Sequence, residues 1–293
     1  MRLNDWQPSK PMTEISISDL QRDLVKVAKG KVERPGEMVL ILLGHVLGKD
    51  KAWLLAHPEF VIDDRSKSAM ELAWSRLCMG EPLAYITGTR EFYGLAFKVN
   101  PHVLIPRPET ELLVEHALLW LREHPKARKA IDIGTGSGCI AISLASTIKD
   151  LSLMATDISP EALQVARQNA LHHKVAERIR FLESGLLNGM DETFDLVCAN
   201  LPYIPSKKLT EVNSIAFEPG LALDGGENGL LFINKLLEQL PSRLNSPGCC
   251  LLEIEETLGH QVVSIARHIF PGNQVSLKQD LAGKDRLLVI ERA

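Results

Sequence analysis

The sequence predicts two unequal parts: a small all-helical segment, then an α/β domain whose mostly parallel sheet carries helices on both faces. Three observations predict this. Residues 18 to 80 repeat apolar positions at helical spacing between glycine and proline stops. From residue 129 onward, short apolar runs alternate with amphipathic helices, the pattern of a doubly covered parallel sheet. The first of those strands closes on a run of glycines that opens a helix. With 293 residues, 45% of them hydrophobic, the chain is long enough to bury a substantial core.

The helical segment begins where Ser18 and Gln21 form a capping box ahead of Ile17, Leu20, Leu24 and Val27, which share a face until Gly30 stops the helix. Pro35 opens EMVLILLGHVLG, too apolar for a surface helix, and Asp50 caps KAWLLAH. Residues 66 to 79 place Met70, Ala73, Trp74, Leu77 and Cys78 on one face. These helices, spanning 1–84, form a bundle without a catalytic cluster, since His45 and His57 are isolated. Residues 85–106, with Gly88 and Gly94 among aromatic and β-branched positions, read as a β-hairpin linker. A helix follows from near Glu109, and 107–293 form the α/β domain.

In that domain KAIDIG, LSLMATD, RIRFLE, FDLVCAN and CCLLEIE read as strands, and VSLKQD and DRLLVIER as two closing ones. The helices are CIAISLAS, PEALQVARQNALHH, the stretch around GLLFINKLLEQL and one near 258 to 268. Ligands of such sheets bind at the carboxyl ends of the strands, near the switch point in strand order.

Composition narrows the function. The net charge of −4 and the balance of 13 basic against 12 acidic side chains in residues 1 to 90 offer no cationic groove for nucleic acid. Five cysteines show neither C-x-x-C spacing nor paired histidines, so neither a disulfide framework nor a metal site is expected. The start, MRLNDWQPSKPM, lacks a signal-like apolar run, and no stretch reaches the length of a membrane span. A cytoplasmic protein is expected.

Three motifs carry chemistry. Gly134-Thr135-Gly136-Ser137-Gly138 closes the first strand, and its G-x-G-x-G spacing places Cys139 where a dinucleotide fingerprint requires glycine; it is the form used by S-adenosyl-L-methionine (SAM) methyltransferases. Asp157 ends the next strand, 19 residues beyond Gly138, where a carboxylate accepts both ribose hydroxyls; Ser159 is the better candidate for capping the helix that follows. Asn200-Leu201-Pro202-Tyr203 follows the FDLVCA strand directly. An amide nitrogen that is to be methylated must have its hydrogens gripped, because its lone pair is held in conjugation. The Asn200 side-chain oxygen and the Leu201 carbonyl can accept those hydrogens, Pro202 fixes the turn and Tyr203 offers a ring face.

Over nearly its whole length the chain resembles the protein-(glutamine-N5) methyltransferases of peptide chain release factors, the PrmC/HemK family. EPLAYITG, EFYGLAFKV, VLIPRPETELLVE, DIGTGSGCIAI, the Asn200 motif, EPGLALDGGENGL and DLAGKDR are similar to that family's motifs and occur in the same order. The resemblance implies a class I SAM-dependent methyltransferase, a Rossmann-like mixed seven-stranded sheet preceded by a helical substrate-recognition domain. It implies a monomer that methylates the side-chain amide of the glutamine in the Gly-Gly-Gln loop of release factors, with no stable nucleic acid, membrane or metal. Carried over by position, Gly134, Thr135, Gly136, Ser137, Gly138, Asp157 and Asn200 bind SAM. Asn200, Leu201, Pro202 and Tyr203 hold the glutamine, Arg107 with Pro108 and Glu109 walls the site, and Glu218 with Pro219 braces it. The chain makes three departures from the family pattern: Leu201 replaces a proline, Gly185 stands where many relatives carry an acid, and Cys249, Cys250 and Glu255 stand where small residues and glycine are commoner.

Three other readings compete. A sister family methylates a glutamine of a large-subunit ribosomal protein with the same motif. Nucleic-acid adenine-N6 methyltransferases share Asn-Leu-Pro-Tyr but need a cationic groove for an extruded base. A SAM-binding regulator without turnover has no use for a gripped amide.

Overall fold

A computed structural model of the chain describes residues 15–28, 30, 32–209 and 216–293. The reading of the first twelve residues therefore lies outside the described part. The chain divides into two compact units, Met1–Thr87 and Gly88–Ala293.

In the first unit, β1 (Ile15–Ser16) pairs antiparallel with β2 (Val61–Ile62), a contact of two residues per strand that leaves no periodicity to read in the sequence. Helix α1 (Ile17–Val27) is capped by Ser16 rather than Ser18: the Ser16 hydroxyl accepts from the Asp19 N–H at 3.2 Å. The earlier start turns Ile17, Leu20 and Leu24 inward and leaves Val27 exposed. Next comes α2 (Pro35–Leu47), which buries Val39, Leu42 and Leu43. Asp50 caps α3 (Lys51–Ala56), its carboxylate accepting from the Trp53 N–H at 2.7 Å. Asp63 does the same for α4 (Asp64–Cys78), which buries Met70, Ala73 and Trp74 with Leu77 and Cys78 alongside. A short helix, α5 (Leu83–Thr87), ends the unit; it takes up the first residues of the stretch expected as a hairpin linker.

The second unit opens with that hairpin, β3 (Thr89–Phe92) and β4 (Leu95–Lys98). The hairpin does not stand free. Phe92 and Phe97 are buried in the core of this unit, and the turn is tied down where the Tyr93 N–H donates to Glu111 at 2.9 Å. One 3-10 turn, Pro108–Thr110, then leads into α6 (Glu111–Glu123).

The alternation that follows is β5 (Lys129–Ile133), α7 (Cys139–Thr147), β6 (Ser152–Asp157), α8 (Pro160–His172), β7 (Ile179–Glu183) and β8 (Phe194–Ala199). It continues with α9 (Ser206–Leu209), α10 (Leu231–Gln239), β9 (Leu244–Glu253), α11 (Gly259–Ile269), β10 (Gln274–Gln279) and β11 (Asp285–Arg292). The order in the sheet is β10-β11-β9-β8-β5-β6-β7, seven strands with β11 antiparallel to both its neighbours and the rest parallel. Strand β9 starts at Leu244, ahead of the CCLLEIE run expected to form it.

Each strand splits its side chains between two cores. Ala130, Leu196, Cys198, Cys249 and Leu251 pack under α6 and α7, while Ile131, Ile133, Val197, Ala199, Cys250 and Leu252 pack under α10 and α11. The central strands are therefore largely apolar on both faces, with Asp132 a buried polar exception within β5. Strand order reverses between β5 and β8, which places the crevice for a ligand at their carboxyl ends.

Candidate active site

The parallel register aligns the candidate residues in one row. Thr156, Ile133, Ala199 and Leu252 are successive partners across β6, β5, β8 and β9. The next residue on each strand is Asp157, Gly134, Asn200 and Glu253, so four separate sequence features stand side by side along one edge of the sheet.

A cavity of about 320 Å³ opens over this row, lined among others by Gly134, Ser137, Asp157, Gly185 and Asn200. A smaller one of about 130 Å³ adjoins it and shares Leu104, Arg107, Asn200, Leu201 and Ala222, with Tyr203 on its own wall. Asn200 thus stands at the junction of two chambers.

The glycine loop is shaped by its neighbours. The Thr135 N–H donates to the Thr156 carbonyl at 2.8 Å, pinning the loop to β6. At Gly138, with φ of +82°, a Cβ would sit 2.9 Å from Ile142 Cδ1 and 3.2 Å from Ala166 Cβ, so only glycine lets α7 start there against α8. Beneath the loop, Asp132 accepts from the Thr135 hydroxyl at 2.6 Å and the Ala141 N–H at 3.2 Å. Burial pushes its carboxyl up to about 7.

Asp157 accepts from the Gly136 N–H and the Ser159 N–H, each at 2.9 Å. Ser159 itself caps α8, its hydroxyl accepting from the Ala162 N–H, which leaves Asp157 free of that duty. Burial raises the Asp157 carboxyl above its usual value, while the two N–H groups pull it back. A charge-bearing acceptor fixed at the cavity wall, beside a Ser137 hydroxyl that is buried without a partner, fits a nucleoside with two ribose hydroxyls.

On the other side, the Asn200 Nδ2 donates to the Thr110 hydroxyl at 3.1 Å. With Nδ2 committed, Oδ1 remains as the acceptor for a ligand. The turn that follows is clamped by the segment after Glu218: Ile204 bridges to Asp224, and the Gly225 N–H donates to the Ile204 carbonyl at 2.8 Å. A Cβ on Gly225 would lie 2.7 Å from Tyr203 Cα and 2.8 Å from the Pro202 carbonyl oxygen, so the glycine-rich DGGENG stretch is there to meet backbone with backbone. Tyr203 is mostly buried, and burial raises its phenol above the ordinary value. Glu218 accepts from Arg107 Nη2 at 2.5 Å and from the Ile105 N–H at 3.3 Å, joining the Pro106–Pro108 segment to the same clamp.

The structure brings Gly134 to Ser137, Asp157, Arg107, Asn200 to Pro202 and Pro219 to the wall of the larger chamber and Tyr203 to that of the smaller one; Gly138 instead packs against Ala166, and Pro108, Glu109 and Glu218 line neither chamber. Gly185 lies in the cavity wall. Three residues escape a reading of the sequence. Asn169, fully buried, donates to the Ser137 carbonyl at 2.8 Å and the Lys98 carbonyl at 3.0 Å while accepting from the Lys98 N–H, so one side chain ties the hairpin to the glycine loop. Thr110 and Glu253 are buried beside Asn200. A carboxylate ending the apolar run CCLLE was the available signal for Glu253.

Fold and crevice define a class I SAM-dependent methyltransferase, with SAM as cosubstrate. The same sheet and helices recur in the solved hMettl16 catalytic domain in complex with the MAT2A 3'UTR hairpin 6, at 19% identity and a TM-score of 0.55 over 74% of this chain and 81% of that one, which is a likeness of fold. Residues 19–88 match the PrmC N-terminal domain family and residues 108–218 the methyltransferase small domain family. The release factor glutamine methyltransferase of Koribacter versatilis is 38% identical over 85% of this chain and 88% of its own length. That of Lactococcus lactis is 37% identical over 92% and 98%. The chain belongs to the release factor glutamine methyltransferase family.

The clamp on the Asn200 turn yields a specific expectation. Gly225→Ala forces the Tyr203 backbone to move, at a cost of about 1–3 kcal/mol in stability. Methyl transfer should fall by a larger factor than the melting temperature suggests, because the displaced Pro202–Tyr203 backbone directly follows Asn200 and Leu201, the candidate acceptors. A thermal melt beside a methyl-transfer assay checks it, and normal activity at a normal melting temperature would mean the clamp is dispensable.

Proposed function

We propose that this chain transfers the methyl group of SAM to the side-chain amide nitrogen of the glutamine in the Gly-Gly-Gln motif of peptide chain release factors. One observation carries the reading: Asn200 stands where the two chambers meet, its Nδ2 held by Thr110 and its Oδ1 left to accept.

Bound SAM supplies an electrophilic methyl carbon. Gly134 to Ser137 and Asp157 hold the donor in the larger chamber. In the smaller chamber Asn200 Oδ1 and the Leu201 carbonyl each accept one hydrogen of the glutamine amide. Held so, the amide plane would be fixed with its nitrogen lone pair directed at the methyl carbon; as the N–C bond formed the S–C bond would break, its electron pair would stay on the sulfur of the departing neutral thioether, and the acceptors would stabilise the charge growing on nitrogen until one N–H proton was lost to water. No strong base is required at the start, since the amide becomes acidic only as it is alkylated. Pro202 limits the turn, Tyr203 flanks the planar group, and Arg107, paired with Glu218, closes the wall.

The helical unit is assigned the recognition of the release factor, supported by its match to a domain named for this family. The net charge of −4 supports a protein rather than a nucleic-acid substrate. No helix among the described residues is long and apolar enough to cross a membrane, and the release factor as substrate supports a place in the cytoplasm.

Labelled SAM incubated with the chain and, separately, with release factor, ribosomal protein and RNA tests the substrate. Label should enter the release factor. Label in ribosomal protein or RNA and none in the release factor would keep the methyltransferase and overturn its substrate.

A further inference from the structure

Glu253 is the member of the row that no step of the methyl transfer uses. It ends β9 in the register position beside Asn200. Cys249 and Leu251 point to the α6 side of the sheet and Cys250 and Leu252 to the other, so Glu253 turns toward the start of α6, where Thr110 sits. Glu253 is 3% exposed and Thr110 2%. The Thr110 and Asn200 side chains lie near enough to the Glu253 carboxyl to favour its charged form, and its Oε2 is buried without a hydrogen-bond partner. A carboxyl in such a place costs the fold stability, and an apolar residue would cost less.

Its use follows from the symmetry of an amide. An asparagine side chain can turn by half a rotation and exchange its oxygen and nitrogen, and only one orientation of Asn200 offers Oδ1 to a substrate amide. Thr110 does not fix that choice, because a hydroxyl can accept from Nδ2 or donate to Oδ1 equally well. An ionised carboxylate can only accept. By accepting the Thr110 O–H it would leave Thr110 an acceptor for Asn200 Nδ2, as the 3.1 Å bond between them has it, and it would repel Oδ1 from its own side.

We propose that Glu253 is a positioning residue that acts through Thr110 to hold the Asn200 amide in the orientation methyl transfer needs; its role in catalysis rests on the proposed methylation of a glutamine amide at this site. When Glu253 is protonated it becomes a donor, the flipped amide is accommodated, and the lock is lost. Burial pushes the carboxyl up to about 7; Glu109 adds to this and Arg286 opposes it, with Tyr203 and Cys139 also close. The lock is therefore present above about pH 7 and fades as pH falls through it. Asp132 titrates in the same range, so the variant must be compared with the wild type.

The full-length chain with Glu253→Gln, Thr110→Val or Thr110→Ser tests this with two readouts. In methyl transfer, Glu253→Gln and Thr110→Val should lose about tenfold or more in kcat, with the Kd for SAM within about twofold, and Thr110→Ser should recover most of the loss. In NMR, the Asn200 side-chain amide signals of the free protein, assigned by their loss in Asn200→Asp, should shift between pH 6 and 8 with a midpoint near 7 and should stop doing so in Glu253→Gln. A raised acid stabilises the fold below its usual value of 4.5 and loses that contribution as pH rises through 7. Glu253→Gln should therefore melt no lower than wild type at pH 8. Unchanged kcat in Glu253→Gln, an unchanged amide titration, or a kcat loss matched by a lower melting temperature would each overturn the proposal. A wild-type chain that leaves release factor unmethylated, yet shows the coupled amide titration, would overturn the substrate reading and leave the coupling standing.

Discussion

Asn200→Ala is expected to lower methyl transfer by at least about 10²-fold, the loss seen when one preorganised group facing developing charge is removed. The structure gives the reason in two parts. Oδ1 is the acceptor left over once Nδ2 is bound to Thr110, and the side chain stands at the junction of the chambers, where donor and acceptor substrates meet. SAM binding should change by no more than roughly tenfold, the size of one neutral hydrogen bond, because the rest of the larger chamber is untouched. The informative quantity is the split: a large fall in kcat beside a nearly intact Kd for SAM, from single-turnover transfer and calorimetry. A variant that lost SAM and kept its turnover at saturation would reverse the division of roles.

Asp157→Ala should show the opposite split. Its carboxylate is fixed by the Gly136 and Ser159 N–H groups and lies at the wall of the larger chamber. Removing a charge-assisted acceptor for ribose hydroxyls costs about 1.5–3 kcal/mol, or roughly 10- to 150-fold in SAM affinity. The loss of the Gly136 partner also frees the glycine loop, so the upper end of that range is expected. Turnover at saturating SAM should fall much less. Asp157→Asn, which keeps one oxygen as acceptor, should lie between the two. Equal SAM affinity in wild type and Asp157→Ala would remove the ribose assignment.

These two residues are legible in the sequence because each follows directly on an apolar strand whose end the sequence marks. LSLMATD stops at a carboxylate and FDLVCAN at an amide, and the glycine spacing after KAIDIG names the third position of the row. The alternation predicts a mostly parallel sheet, and in such a sheet the carboxyl ends of the strands gather along one edge.

What the sequence conceals depends on register and on contacts between distant segments. Glu253 joins the row only because β9 lies beside β8 with Leu252 opposite Ala199, and its position in CCLLEIEE offers no spacing to other functional residues. Asn169 sits within a helix that reads as ordinary and amphipathic, yet its amide holds the hairpin and the glycine loop from 71 and 32 residues away. The pairing of Glu218 with Arg107 spans 111 residues. Local propensity also misplaces one cap, at Ser16, because the pairing of β1 with β2 starts α1 earlier than the capping box suggests.

The most direct measurement is peptide mass spectrometry of a release factor after reaction with SAM and the full-length chain, run beside a factor whose Gly-Gly-Gln glutamine is replaced. One methyl group on the side-chain amide of that glutamine, absent from the replaced factor and from a reaction with Asn200→Ala, is the predicted result. A methyl group on another residue, or one that persists with Asn200→Ala, would contradict the assignment of the Asn200 turn as the grip on the glutamine amide.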